Sequence, residues 1–318
     1  MASAADGAQI ASVADAASPF LVTGAGGGIG GVGRTVVELL RSRDLPVRAM
    51  VHREDSRADA LRELGAEVVA GDLARPSDVA RALEGSRRML FCMSASPVYL
   101  EAAATVATVA RAFGGLEVLV DLSQMTVSQM TAVSVAESHQ QRLHWLSERL
   151  LDWSTLPVVH LRPTVFQDNP LFTTLVARSV AERGVLPLPF GDGRTSPVAA
   201  VDVARVAAGV LMDPGPHIGQ VLELTGPRVE DMDGVAEEYS RALGRRVRYM
   251  DVAPAEWVDT VLAHSGLSTH VQEHLTTLAR LHRQGRFDRS THTVQELTRR
   301  PAQTLEAFVA DHAGQFAG

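Results

Sequence analysis

The chain contains no lysine; all 30 of its basic side chains are arginines. Whatever chemistry it performs, no step can use a lysine amine. There is one cysteine, Cys92. An intrachain disulfide is thereby excluded, and nothing argues for an oxidising compartment. Set in the apolar run RMLFCMS, Cys92 is expected as a buried core thiol. No run of about 18 apolar residues exists, so no transmembrane span is expected. Residues 1–18 are Ala/Ser-rich and lack both a basic n-region and an apolar h-region, which predicts a disordered tail rather than a signal peptide and a cytoplasmic protein. The net charge of −7 lacks the basic excess that phosphate neutralisation needs, so nucleic acid is not an expected partner. With 46% hydrophobic residues, the chain has enough apolar material for a well-buried core.

What is present is an alternation. Short apolar runs, PFLVTG, PVRAMVHR, AEVVAGDL, RMLFCMS, LEVLVDLSQM and LPVVHLRPTVF, read as strands. Between them lie helical patterns such as GRTVVELLRSR and SDVARALEG, the latter with Ser77 as the expected N-cap. Strands separated by helices of this length imply right-handed βαβ units and a doubly wound parallel sheet of the Rossmann type. After about residue 166 the pattern loosens. A further strand is expected in GQVLELTGP, and 183–198 is Pro/Gly-rich and suits a loop over a cleft or an interface. The predicted division is a tail (1–18), a sheet domain (19–165 plus 192–226), and a smaller, mostly helical lobe (166–191 plus 227–318).

Seven glycines crowd into TGAGGGIGGVGR, residues 23–34, between the first strand and the first helix. A glycine turn there lets the backbone approach a pyrophosphate, and the helix N-terminus offers unpaired N–H groups. The candidates are Gly24, Gly27, Gly30 and Gly33. The motif closes at either Gly30 or Gly33; Gly33 is preferred because the second strand then ends about 20 residues later. That strand ends at His52 and Arg53, with Arg57 close by. An acid there would hold a ribose hydroxyl, whereas arginine suits a 2′-phosphate, so NADP(H) is the expected cofactor and NAD(H) the alternative. Asp72 and the adjoining backbone at Leu73 are placed at the adenine edge, and Ser94 and Ala95 near the nicotinamide ribose.

These residues, together with GDL, LSQM and LRPTVFQDN, and with LELTGP, ALGRRVRYMDVAPAEW, QGRFDRSTHTVQEL and RPAQTLEAF further on, resemble the NmrA-like family of atypical short-chain dehydrogenases/reductases. The resemblance spans nearly all of residues 19–318. It implies an NAD(P)-binding Rossmann domain with a small lobe closing a cleft. The family includes quinone and dye reductases, dinucleotide-sensing regulators that act through a protein partner, and tailoring enzymes of aromatic polyketides; fold alone does not choose among them.

Ordinary members of the wider superfamily use Tyr-x-x-x-Lys on the helix after strand five, where lysine lowers the tyrosine pKa and tyrosine protonates an alkoxide. Here the tyrosines are Tyr99, Tyr239 and Tyr249, none on that helix. Gln140 falls at the tyrosine position and His144 at the lysine position. Hydride transfer remains open to a conjugated acceptor whose reduced form is a stabilised anion, so the expected reaction is NAD(P)H-dependent reduction of a quinonoid or aromatic small molecule. Ser123 and His144 are the candidate catalytic residues; Gln124, Met125, Phe166 and Asn169 are the candidate substrate contacts. Trp145 and Trp153 are expected to pack in the core. His270 and His274 share a helical face but lack a third ligand, and no metal is expected. Oligomeric state is left at monomer or homodimer.

Overall fold

The computed structural model describes residues 18–27 and 31–317. The expected tail, apart from Ser18, and the candidate Gly30 lie outside the described residues. Among the described residues, seven parallel strands form one sheet: β1 (Phe20–Thr23), β2 (Val47–Val51), β3 (Glu67–Ala70), β4 (Arg88–Phe91), β5 (Val118–Leu122), β6 (Val158–Pro163) and β8 (Val221–Leu224), in the order β3-β2-β1-β4-β5-β6-β8. The order reverses between β1 and β4, which opens a crevice at the carboxyl ends of these strands.

Both faces of the sheet are covered, which explains the near-continuous apolar strands. One face packs against α1 (Val32–Arg41) and α7 (Ala200–Met212), with Val36, Leu40, Val203 and Leu211 fully buried. The other packs against α3 (Pro76–Leu83), α4 (Tyr99–Phe113) and α5 (His139–Trp153), with Leu83, Val106 and Leu151 inside. Helix α2 (Ser56–Glu63) joins β2 to β3 and is capped by Asp55. Helix α3 begins with Pro76 at its first turn and Arg75 as N-cap, so Ser77 is not the cap expected of it; proline presets the φ angle there and has no N–H to leave unpaired.

A third apolar cluster belongs to α6 (Thr174–Arg183), α8 (Met232–Leu243), α9 (Pro254–Thr260), α10 (Thr269–Arg283) and α12 (Leu305–Asp311). It contains a strand that the sequence reading left as loop: VLPL forms β7 (Val185–Leu188), buried at every residue and paired in parallel with β9 (Arg248–Asp251). Pro187 is tolerated because this two-stranded sheet has only edges. The short α11 (Thr293–Thr298), expected in the lobe, instead sets Val294 into the main sheet's core.

Trp153 ends α5 and is 77% exposed, contrary to the expected core packing. Trp145 is half-buried, with the guanidinium carbons of Arg142 and Arg149 at 5.3 and 5.9 Å from its ring.

Candidate active site

The crevice begins at the glycine turn. Thr23 fixes its base: its Oγ1 donates to the Cys92 carbonyl at 2.9 Å and accepts from the Cys92 N–H at 2.9 Å, tying β1 to the end of β4. Gly24 sits at φ +66°, and a Cβ there would lie 2.5 Å from the Cys92 carbonyl oxygen. Gly31 caps α1 in the left-handed region, and no acidic side chain occupies the first helical turn. A Cβ on Gly33 would come within 2.9 Å of the Gly24 backbone. Helix α1 therefore approaches β1 as closely as it does only because Gly33 has no side chain, the packing expected of the closing glycine in a dinucleotide turn. A cradle with glycines at its close contacts and a helix N-terminus free of acids fits a pyrophosphate.

Beyond the turn lies a cavity of about 330 Å³. The ends of β4, β5 and β6 supply one wall, and α5 and α10 the other. Gly24, Gly27, Ser94, Ala95, Ser123, Gln124, Met125, His144, Phe166 and Asn169 all border it. His52 and Arg53 lie outside it, exposed just past the end of β2. Asp72 lies outside as well, with Oδ1 accepting from the Ala74 N–H at 2.9 Å to close a local turn, and Leu73 packs partly into the second face's core. Arg57 approaches the glycine turn, its Nη1 3.6 Å from where a Gly27 Cβ would stand.

Among the described residues, no Asp, Glu, Arg or Tyr lines the cavity. All three tyrosine hydroxyls donate to main-chain carbonyls instead: Tyr99 to Leu122, Tyr239 to Phe172 and Tyr249 to Leu188. Burial raises the pKa of each. The titratable groups that do reach the cavity are held neutral. Burial lowers His144 to about 4 and His274 to about 3, and it raises the Cys92 thiol to about 12. Cys92, expected as a buried core thiol, packs partly buried against the main sheet's core and also borders the cavity.

Helix α5 carries the most informative group. It opens on a capping box, with Ser138 and Gln141 bonding each other's backbone N–H, and this sets the helix phase that brings Gln140 and His144 to the cavity. Gln140 Oε1 accepts from the Ser96 N–H at 2.9 Å and pairs with His270 Nε2 at 2.7 Å. Ser138 Oγ pairs with His274 Nδ1 at 2.8 Å. The two histidines read as a stray pair in the sequence are thus the points where α10 of the lobe is bonded to α5. Four polar atoms on cavity-lining residues are buried without a hydrogen-bond partner: Ser123 Oγ, Gln140 Nε2, His144 Nδ1 and Thr164 Oγ1. Ser123 nevertheless lies close enough to Glu148 to help lower its pKa. The His144 ring packs against Tyr99 with centroids 4.1 Å apart and the two planes inclined at 46°.

Behind Ser123, away from the cavity, is a buried ionic network. Arg162 holds Glu148 through two bonds, 2.9 and 2.5 Å. Burial alone would raise Glu148, but Arg162 outweighs it and keeps the carboxyl ionised. His160 bonds Asp121 at 2.8 Å and Asp152 at 3.0 Å. Burial opposes its charge, yet these carboxylates lift it to about 9. With both ring nitrogens paired to carboxylates, His160 is biased towards its imidazolium form, while burial raises Asp121 beside it.

The fold and the site together define a Rossmann protein built to hold a dinucleotide. Residues 27–214 match the NAD(P)H-binding family model. The chain belongs to that family. It is 29% identical to an NAD(P)H azoreductase from Xenophilus azovorans over 91% of this chain and 97% of that one. Its fold matches the NADPH complex of quinone oxidoreductase 2 from Escherichia coli with a TM-score of 0.79 at 23% identity, covering 93% and 99% of the two chains. It matches the NADP complex of NmrA, a negative transcriptional regulator, with a TM-score of 0.75 at 17% identity, covering 92% and 95%.

Proposed function

We propose that this protein is a reductase that uses NADPH in preference to NADH and acts on an uncharged, conjugated small molecule of the quinonoid or aromatic kind. The observation that carries the reading is the cavity beside the glycine turn, where among the described residues no Asp, Glu, Arg or Tyr stands and burial holds His144, His274 and Cys92 neutral. When bound, the reduced nicotinamide supplies a hydride, that is, two electrons and one proton. Gly24, Gly27, Gly31 and Gly33 would hold the diphosphate; Arg53 and Arg57 would meet the 2′-phosphate; Ser94 and Ala95 would line the ribose.

The protein's own part is to orient and to exclude water. The apolar walls from Met125, Phe166, Leu275 and Leu278 suit a flat ring. Neutral at pH 7, His144 can hydrogen-bond but has no dissociable proton of suitable acidity to give. A quinone suits such a site because its two-electron product is a phenolate that water protonates after release. A simple ketone does not, because its alkoxide needs a proton in the transition state. Relationship to an azoreductase and a fold shared with a quinone reductase support the same class.

The test is NADPH oxidation across a panel of p-quinones, enones and simple ketones. Turnover of quinones without turnover of ketones is expected. Cofactor binding with no turnover of any conjugated acceptor would overturn the reading and favour a dinucleotide-sensing regulator.

A further inference from the structure

We propose that Gln140 Nε2 is the hydrogen-bond donor that receives the carbonyl oxygen of the ligand, so that the site selects neutral carbonyl acceptors over hydrocarbons of the same shape. This rests on the reductase reading for the nature of the ligand, but on separate observations for the residue. Gln140 is 1% exposed and borders the cavity. Its oxygen is engaged by the Ser96 N–H and His270 Nε2, neither of which borders the cavity. A backbone N–H can only donate, so the amide cannot flip: its oxygen must face Ser96, and its nitrogen is the end of this cavity-lining residue left without a bond. That nitrogen has no partner.

A buried amide nitrogen with both hydrogens unmatched costs free energy, and folded proteins leave few such groups without a use. Here the two bonds on the oxygen hold the donor in place before any ligand arrives. A donor fixed in advance against developing negative charge is the arrangement that stabilises an oxyanion. Unlike a tyrosine hydroxyl, an amide N–H does not give up its proton, so the group stabilises charge without neutralising it. This confines useful substrates to those whose reduced oxygen is stable as an anion. The bond from His270 also makes the donor's position depend on α10, and hence on the lobe being seated.

Isothermal titration of the full chain saturated with NADP+, at pH 8, tests this with two probes: 1,4-naphthoquinone and naphthalene. The oxidised cofactor cannot reduce the quinone, so binding alone is read. The unmodified protein should bind the quinone at least about tenfold more tightly than naphthalene, as one well-placed hydrogen bond allows. Gln140→Leu should bring the two within about twofold. Gln140→Glu should do the same while keeping an acceptor for Ser96 and His270; it carries the test if the leucine variant fails to fold. Retained NADP+ affinity shows that each variant is intact. A quinone preference that survives in either folded variant, or that is missing from the unmodified protein, overturns the proposal. Quinone preference without NADPH-dependent turnover would remove the reductase reading and leave Gln140's role standing. Turnover with the preference unchanged in the variants would do the reverse.

Discussion

Arg162 on β6 grips Glu148 on α5 in a two-pronged ion pair, with the Glu148 side chain fully buried and that of Arg162 12% exposed. Breaking such a pair leaves one buried charge uncompensated. Arg162→Leu should therefore lower unfolding stability by about 3 kcal/mol, and Arg162→Leu/Glu148→Leu should recover most of it. Urea denaturation of the single and double variants measures both. Equal losses in the two would mean that the pair acts only through packing.

Gly33→Ala should weaken NADPH binding at least about tenfold without unfolding the protein, because the new methyl must push α1 away from the Gly24 backbone. Gly209→Ala on α7, where a Cβ meets nothing within 4 Å, is the control and should bind normally. Fluorescence titration of the cofactor compares them.

Arg53, just past the end of β2, and Arg57, in the first turn of α2 beside Gly27, are both exposed. Dissociation constants for NADPH and NADH, taken at one salt concentration, should favour NADPH. The double variant Arg53→Ala/Arg57→Ala should abolish the preference and leave NADH binding nearly unchanged. A clear NADH preference in the unmodified protein would contradict the 2′-phosphate assignment.

Stability should peak near neutral pH, with each limb traceable to named histidines. His160 is raised from 6.5 to about 9 in the folded state. The stability it contributes is complete below pH 6.5 and is lost as pH climbs through 9, a change on the order of 3 kcal/mol. His144, His274 and His282 are lowered to about 4, 3 and 3. The unfolded chain binds protons at these sites first, so stability falls as pH drops below 6.5. Urea midpoints across pH should show both limbs, and His160→Gln should flatten the alkaline one.

The rate should be insensitive to pH. The cavity's titratable groups sit at about 3 and 4 on one side and about 12 on the other. With a quinone substrate, kcat/KM should be level from about pH 6 to pH 9. A bell-shaped profile in that range would reveal an acid or base that the cavity walls do not supply.

The parts of this molecule that could be read from its sequence are those with a local signature. Strand-helix alternation announced the sheet, and a glycine turn between a strand and a helix announced the dinucleotide site. What stayed hidden depends on residues far apart in the chain. Nothing near His270 signals that it bonds Gln140, or near His274 that it bonds Ser138. Nor does sequence show that His282 is sandwiched between Phe190 and Phe287, with centroids at 4.1 and 3.8 Å. β7 was missed because proline and glycine surround a run of only four residues. The S-x-x-Q box before α5 went unread, although it marks the start of that helix at His139. Gln140 was noticed only as a missing tyrosine; its value as a donor depends on Ser96, which no local pattern connects to it.

Quinones are electrophiles that add to amines and thiolates, so any protein that binds them risks alkylation by its own ligand. The missing lysine removes one target from the whole chain. The thiol of Cys92 borders the cavity but, held near 12 by burial and by the Asp121 charge, is almost never ionised at neutral pH. A chain with these two properties can meet a reactive ring many times without being consumed by it.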